Sequence, residues 1–309
     1  MHVMIPFGST DSQAARHVLR ELTLPSLTRL MQRLSPAGRD ETDAATLSPP
    51  HERVLAAACG WPVVDGLLPL AARAAAANGL TVGDAAWGLL TPAHWIAGRD
   101  QVTMADPQLL ALGEAESRTF FEAIRHLFES EGLRMAWGAP LRWYVVHPSL
   151  GETPCASLDR VIGRGIDAWL PQLPQTRLLR RLQSETQLVL YTHPLNEARE
   201  ARGEPVVNSF WLSGCGPARP CSGDSIDTLD GLRAPMLQQD WVAWADAWQA
   251  LDAGPIASLL KRCSAGEPIT LTLCGERAAQ SYATRKRSTW QRVTGRWRTP
   301  ALCEVLEGL

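Results

Sequence analysis

Residues 182–216 hold the densest run of polar side chains set among apolar ones in this 309-residue chain. Their sequence, LQSETQLVLYTHPLNEAREARGEPVVNSFWLSGCG, predicts a helix, a tight polar corner and a buried strand that ends in a glycine loop. Arginine side chains and the backbone N–H groups of such loops are groups that bind small anions. The candidate binding residues of this stretch are Glu185, His193, Asn196, Arg199, Asn208 and Ser213.

Glu185 falls on the same helical stripe as Leu182 and Val189. A carboxylate on a core-facing stripe must be paired or must line a cavity, because burying it without a partner is costly. Arg160 and Arg164, four residues apart in the segment SLDRVIGR, are its candidate partners. We therefore include both arginines among the candidate binding residues.

Two interpretations of this constellation remain open. In the first, the polar groups satisfy one another and cap the helix corner, as buried polar groups commonly do. In the second, they line a pocket for a small anion at the carboxyl end of the strand, which is where open α/β sheets bind ligands. Gly214 and Gly216 do not complete a GxGxxG fingerprint, and nothing places a base beside Cys215.

Helices alternate with apolar strands along the chain, and the first and last buried strands are predicted at 2–7 and 268–274. This alternation predicts the α/β class, with a sheet covered by helices on both faces. Residues 1–105 and 177–309 are predicted to form this core. Residues 106–176, which include a hairpin, interrupt the alternation and are predicted to be an inserted α+β subdomain.

Composition excludes several classes of partner. The net charge of −2 provides no field that would attract nucleic acid or an anionic membrane. No apolar run reaches the roughly 18 residues of a membrane span, and the N-terminus lacks the pattern of a signal peptide. We therefore expect a cytoplasmic protein without a membrane partner. The seven cysteines are scattered without a CxxC motif, so mostly reduced thiols and no structural metal are expected.

Two features could bind a macromolecule. Trp241, Trp244 and Trp248 share one face of a helix predicted at 237–251, which is either a core stripe or a partner-binding face. The C-terminal tail interleaves cations with tryptophan, a combination that can bind single strands, although the acidic balance of the chain argues against nucleic acid. Its residues are Arg285, Lys286, Arg287, Trp290, Arg292, Arg296, Trp297 and Arg298.

The segment 193–216 resembles the "HPVN, R, G, N, WGQG" segment of the archaeal-type, cofactor-independent phosphoglycerate mutases of the alkaline phosphatase superfamily. The likeness continues in order through LPSLTRL, LRWYVVH, TPCASLDRVIGRGIDAWLP and ITLTLCGER. At closer range, TLSPPHE, SLDRVIGR and NSFWLSG resemble stretches of the bacterial RpfE-type regulatory proteins, in which the first of these reads SLSPPHE. The resemblance implies a three-layer α/β/α sandwich with an inserted subdomain, two divalent metals and a serine that is transiently phosphorylated.

The metal ligands of that superfamily do not carry over to this chain. Pro6-Phe7-Gly8 stands where the family has an aspartate after the first strand, and Cys274-Gly275-Glu276 stands where it has Asp-His. Leu158-Asp159 replaces the His-Asp of the insert. The histidines show no HxH or HxxxH spacing. The three of most interest are His51, His94 and His193, each of which lies near a proline in a loop or at the end of an element.

The sequence therefore predicts a metal-free, phosphoglycerate-mutase-like protein that binds a small phosphorylated or anionic ligand, or a protein partner, in a regulatory role. Two alternatives stay open. One is a phosphomutase or phosphatase with rearranged ligands for Mn²⁺ or Mg²⁺. The other is an interaction module that uses the tryptophan face or the basic tail. If the polar constellation is a pocket, Arg160→Ala or Asn208→Ala should weaken anion binding more than fold stability.

Overall fold

The computed structural model describes residues 1–170, 173–223, 225–284 and 302–309. The chain divides into two compact units. Unit 1 comprises Met1–Ala45, Pro49–Gly60 and Ser222–Leu309. Unit 2 comprises Thr46–Ser48 and Trp61–Cys221.

The strands are β1 (His2–Ile5), β2 (Leu34–Glu41), β3 (Ala86–Ala93), β4 (Trp95–Ala97), β5 (Val102–Met104), β6 (Arg134–Ala139), β7 (Arg142–Val146), β8 (Ser209–Pro217), β9 (Ile226–Thr228), β10 (Thr270–Cys274) and β11 (Ala278–Thr284). The α-helices are α1 (Gln13–Glu21), α2 (Pro25–Met31), α3 (Pro50–Ala58), α4 (Leu70–Ala77), α5 (Glu114–Glu129), α6 (Leu158–Val161), α7 (Arg177–Tyr191), α8 (Pro194–Ala201), α9 (Arg233–Leu237), α10 (Trp241–Leu251), α11 (Ala257–Ser264) and α12 (Leu302–Glu307). Among the described helices, none combines the length and apolarity that a membrane span requires.

Unit 1 is built on a five-stranded sheet in the order β2-β11-β10-β1-β9. β1 runs parallel to β10 and β9, whereas β11 is antiparallel to β10 and β2. Val3 and Ile5 pack in a core with residues of α1, α2, α10, α11 and α12. Met4 points to the other face, where it packs with Cys274 and with Val54 of α3. The sheet is thus covered on both faces, as the α/β class predicts.

Unit 2 is built on a four-stranded antiparallel sheet in the order β6-β7-β3-β8, accompanied by the β4–β5 hairpin. On one face, Trp143 and Phe210 pack in a core with residues of α5 and α7. On the other face, Trp87 and Tyr144 pack against the alanine side of α4. This sheet also lies between helices.

The division into units differs from the predicted one. β3 was assigned to the core and β7 to the insert 106–176, yet Leu89 of β3 lies opposite Tyr144 of β7 and Ser213 of β8. These strands therefore belong to one sheet, because alternation along the chain does not determine which strands pair. The predicted loop at 35–46 is also corrected, since most of it forms β2, which pairs with β11.

The tryptophan face of α10 belongs to the core of unit 1. Trp244 and Trp248 are fully buried, and the Trp241 ring packs edge-on at 6.1 Å from that of Trp244. The alternative of a partner-binding tryptophan face is therefore wrong. The basic residues of the proposed tail, at 285–298, lie outside the described residues.

The expectation of mostly reduced thiols is confirmed, with two cysteines as the exception. Cys155, Cys215, Cys263, Cys274 and Cys303 carry free thiols, whereas Cys59 and Cys221 are disulfide-bonded. Nothing in the spacing of the seven cysteines marks these two, so the sequence could not identify them.

Candidate functional site

Asn196 of α8 is buried, and its amide bonds entirely to the backbone. The Nδ2 group donates to Leu190 O at 2.8 Å and to Val207 O at 2.7 Å, and Oδ1 accepts from Val207 N at 3.0 Å. These bonds tie the end of α7 to the segment that leads into β8. The side chain thereby satisfies backbone groups that the helix corner would otherwise leave unpaired.

Arg199 is buried on the same helix and is equally occupied. Its guanidinium donates to Pro205 O at 2.9 Å and to Leu110 O at 2.5 Å, and it pairs with Glu116 at 2.5 Å. A buried arginine is tolerated because its donors are used in this way. Arg199 and Asn196 therefore fulfil structural roles at the predicted polar corner.

Asn208 and His193 also bond to nearby backbone. Asn208 Oδ1 accepts from Trp95 N at 2.7 Å, and its Nδ2 donates to Trp95 O at 2.8 Å, so the side chain mimics a strand partner. His193 is the N-cap of α8, where Nδ1 accepts from Leu195 N at 3.2 Å. Ser213 lies buried within β8.

Glu185 does not pair with the predicted arginines. Its side chain is 41% exposed and lies 3.7 Å from Arg181, one helical turn away on α7. Arg160 is buried and donates to Thr46 Oγ1 at 3.1 Å. The guanidinium carbons of Arg160 and Arg164 lie 6.0 and 5.9 Å from the centre of the Trp169 ring. The pairing prediction is thus wrong, whereas ligand binding by the two arginines stays a prediction.

The strand that closes the predicted constellation occupies an unexpected position. β8 is the edge strand of an antiparallel sheet, so the rule that places ligands at the carboxyl ends of parallel strands does not apply to it. In the described residues, the parallel strands are those of unit 1. Their carboxyl ends define the edge at which this rule predicts a site.

A polar group of side chains lies at that edge. β1 and β10 are in register at Ile5 and Leu273, so the segments that follow both strands emerge together. We call the following set the strand-end cluster: Thr10, Asp11, Arg16, Arg53, Glu276 and Arg277.

The side chains of Trp244 and Trp248, on α10, contact the loop that follows β1. Gly8 N donates to Cys274 O at 2.8 Å, and Trp244 Nε1 donates to Phe7 O at 3.0 Å. Phe7 has a φ of 61°, which is unfavourable for an aromatic residue. A Cβ atom at Gly8 would lie 3.1 Å from the Trp248 ring, so a larger residue would disturb this packing. The buried tryptophans thus position the loop that carries Thr10 and Asp11.

Asp11 lies between two guanidinium groups. Its Oδ1 is 2.7 Å from Arg16 and its Oδ2 is 3.3 Å from Arg277, and the three side chains are 41–51% exposed. Glu276 Oε2 accepts from Thr10 Oγ1 at 2.7 Å and from Asp11 N at 3.2 Å. The two loops are therefore joined by charge-assisted contacts that are exposed or partly buried.

A buried arginine lies beneath these contacts. Arg53 Nε donates to Asp40 at 2.7 Å, and its Nη2 donates to Arg277 O at 3.4 Å. Burial raises the pKa of the neighbouring Cys274 thiol, an effect to which Asp40 adds and which Arg53 opposes. The raised pKa disfavours the thiolate form of Cys274.

The residues of the edge do not fit the two divalent metals that the resemblance implies. The carboxylates that face each other across the loops are Asp11 and Glu276, and three arginines accompany them. Two metals need several converging carboxylates and histidines, whereas guanidinium groups repel them. Across the described ranges, no group of three or more His, Cys, Asp and Glu residues is arranged to hold a metal ion.

Sequence reasoning missed most of this cluster. It marked Pro6-Phe7-Gly8 and Cys274-Gly275-Glu276 only as places where metal ligands are absent. The available signal was the prediction of two buried strands at 2–7 and 268–274. Had these been treated as parallel neighbours, the polar residues that follow them would have been expected at one edge.

The sequence matches no family model and no curated protein. A cofactor-independent phosphoglycerate mutase from Thermoplasma acidophilum DSM 1728 matches over 99% of this chain and 98% of its own, with 14% identity and a TM-score of 0.38. The PH0037 protein from Pyrococcus horikoshii matches over 92% of this chain and 87% of its own, with 12% identity and a TM-score of 0.48. Both likenesses are distant, and neither bears on the resemblance to RpfE-type regulators.

Proposed function

We propose that the protein binds a small anion of the phosphate class at the strand-end cluster, in a regulatory role and without divalent metals. The observation that carries the proposal is Asp11, which is held between Arg16 and Arg277. Carboxylates and phosphates are both acceptors for guanidinium groups. Asp11 therefore occupies the place that the anion would take.

Exchange of Asp11 for an anion would cost little. Exposed ion pairs contribute roughly 0–1 kcal/mol, so either arginine can leave Asp11 for a better acceptor. The amides at the start of α1 add donors close by, because its N-cap Ser12 makes no side-chain capping bond. Arg53, which is buried and paired with Asp40, donates to Arg277 O and so helps to hold the loop that carries Arg277.

Calorimetric titration with inorganic phosphate tests this proposal. Asp11→Asn should tighten binding several-fold, because it replaces the competing carboxylate by a neutral, weaker acceptor and removes a like charge. Arg277→Ala should weaken binding by about tenfold, the effect of losing one charge-assisted hydrogen bond.

Asp246→Asn, at an exposed residue, and Arg262→Ala, at a partly exposed arginine paired with Glu267, lie elsewhere in unit 1. They are the matched controls and should leave the affinity unchanged. Equal affinities for all five proteins, or no phosphate binding by the Asp11→Asn variant, would refute the proposal. Arg160→Ala in the same series tests the predicted arginines around Trp169. Loss of binding in that variant alone would move the site to unit 2.

A second candidate function follows from one contact. Thr10 Oγ1 donates to Glu276 at 2.7 Å, the geometry of a hydroxyl nucleophile beside a base, and Asp11 N orients the carboxylate. This arrangement favours phosphoester transfer by a rearranged site. It predicts turnover of a generic phosphoester or of phosphoglycerate that survives in Thr10→Ser and is lost in Thr10→Val. Absence of turnover with and without Mn²⁺ or Mg²⁺ would remove this candidate.

A further inference from the structure

Unit 2 contains two cysteine thiols in direct contact. Cys155 Sγ lies 3.4 Å from Cys215 Sγ, and it also lies 3.3 Å from Thr153 O. Cys155 is located between the β7 strand and α6, whereas Cys215 is located in β8. Sixty positions separate the two residues in the chain, so the fold, and not local sequence, brings the sulfurs together.

The two thiols differ in access. A narrow cleft of about 10 Å³, enough for one water-sized molecule, is lined by Cys155 together with Trp169, Arg180 and Gln183. Cys155 is 6% exposed, whereas Cys215 is fully buried behind it. The hydrogen bond with Cys155, and secondarily burial, raise the pKa of Cys215 well above its usual range. The raised pKa favours the thiol form of Cys215.

We propose that Cys155 and Cys215 form an oxidation site, in which Cys155 reacts with a hydroperoxide through the cleft and Cys215 resolves the product to a disulfide. In the first step, the Cys155 thiolate forms an S–O bond with the peroxide and the O–O bond breaks. The released hydroxide takes up a proton and leaves as water, and Cys155 becomes a sulfenic acid.

In the second step, Cys215 attacks the Cys155 sulfur. The S–S bond forms, the S–O bond breaks, and the hydroxide leaves as water with the proton of Cys215. The two thiols together lose two electrons and two protons, and one hydrogen peroxide is reduced to two waters. Thiol reductants reverse the disulfide by exchange.

Peptide mapping of the full-length protein tests the proposal. The protein is treated with hydrogen peroxide, unfolded, alkylated and digested without reductant, and the peptides are identified by mass spectrometry. Peroxide should link the peptides of Cys155 and Cys215 and leave two fewer alkylated thiols. Dithiothreitol should restore both. Cys263 and Cys303, which are partly buried free thiols, serve as internal controls and should stay alkylated and unlinked.

The two single variants separate the roles of the cysteines. In Cys215→Ala, peroxide should leave Cys155 as a sulfenic acid that a 1,3-diketone traps. In Cys155→Ala, Cys215 should remain a thiol. If near-ultraviolet circular dichroism shows that an alanine variant is misfolded, the serine variant replaces it. Alkylation of both Cys155 and Cys215 after every peroxide dose that leaves the wild type folded, or a link from Cys155 to another cysteine, would overturn the proposal.

Discussion

The polar corner of unit 2 and the strand-end cluster of unit 1 use similar residues in opposite ways. Asn196 and Arg199 are 4% and 1% exposed, and most of their bonds go to backbone oxygens. Asp11, Arg16 and Arg277 are about half exposed and hold one another through side chains. The difference shows that a dense run of polar residues in a sequence can mark side chains that hold backbone segments together. A side chain can exchange its protein partner for a ligand when both side chains of the pair are accessible to water.

The largest expected effect is a loss of stability at the polar corner of unit 2. Arg199→Met should lower the free energy of unfolding by about 3–5 kcal/mol, because Glu116 and Leu110 O lose a buried partner. Phosphate affinity of the folded variant should match that of the wild type. Urea unfolding measures the stability and calorimetry the affinity.

Arg202→Met is the matched control, since Arg202 is an exposed partner of the same Glu116 and its loss should change stability far less. An Arg199→Met protein that is as stable as the wild type but no longer binds phosphate would show that the polar corner is a binding pocket.

A smaller loss of stability is expected at Asn208, whose side chain bonds to the backbone of Trp95 as a neighbouring strand would. Asn208→Ala should cost about 1–2 kcal/mol of stability, because Trp95 loses two hydrogen-bond partners on its backbone, and phosphate affinity should not change. The geometry thus reverses the expectation from the sequence, which assigned Asn208 mainly to binding. Asn208→Asp keeps the acceptor for Trp95 N and should fall between wild type and Asn208→Ala in thermal unfolding. Weaker phosphate binding without a stability loss would restore the sequence-based expectation.

The smallest expected effect concerns the ion pair between Arg202 and Glu204, at the solvent-accessible edge of the polar corner. A hydrogen bond from Arg202 lowers the pKa of Glu204 below its ordinary value of 4.5. The stability from this pair is therefore present above that value and is lost as the pH falls through the lowered pKa of the folded state. Glu204→Gln should unfold at slightly lower temperature than wild type at pH 7, and the difference should vanish in acid. A difference that is constant with pH would contradict this account.

Much of the fold could be predicted from the sequence, because periodicity reports burial directly. β1, β10, α5 and α10 lie where the apolar patterns predicted them. Strand pairing could not be predicted, since the same alternation is compatible with β3 and β8 in a parallel core or in the antiparallel sheet that they form. β2 was missed because its Pro, Gly and Asp content is typical of a loop.

The candidate site was harder to predict from the sequence than the fold, for a related reason. Asn196, Arg199 and Asn208 attract attention because they interrupt apolar stretches, yet most of their partners are backbone groups, which no residue pattern displays. Asp11 and Arg277 stand in ordinary polar loops far apart in the chain. Only the parallel register of β1 and β10 brings them together.

Amide chemical shifts during a phosphate titration of the full-length protein test the central claim most directly, because they compare both regions in one experiment. We expect the largest changes at the amides of Thr10, Asp11 and Arg277, with residues 193–208 unaffected. The same titration of Arg277→Ala should show these changes only at higher phosphate concentrations. Changes confined to 193–208, or to Arg160 and Arg164, would contradict the assignment of the anion site to the strand-end cluster.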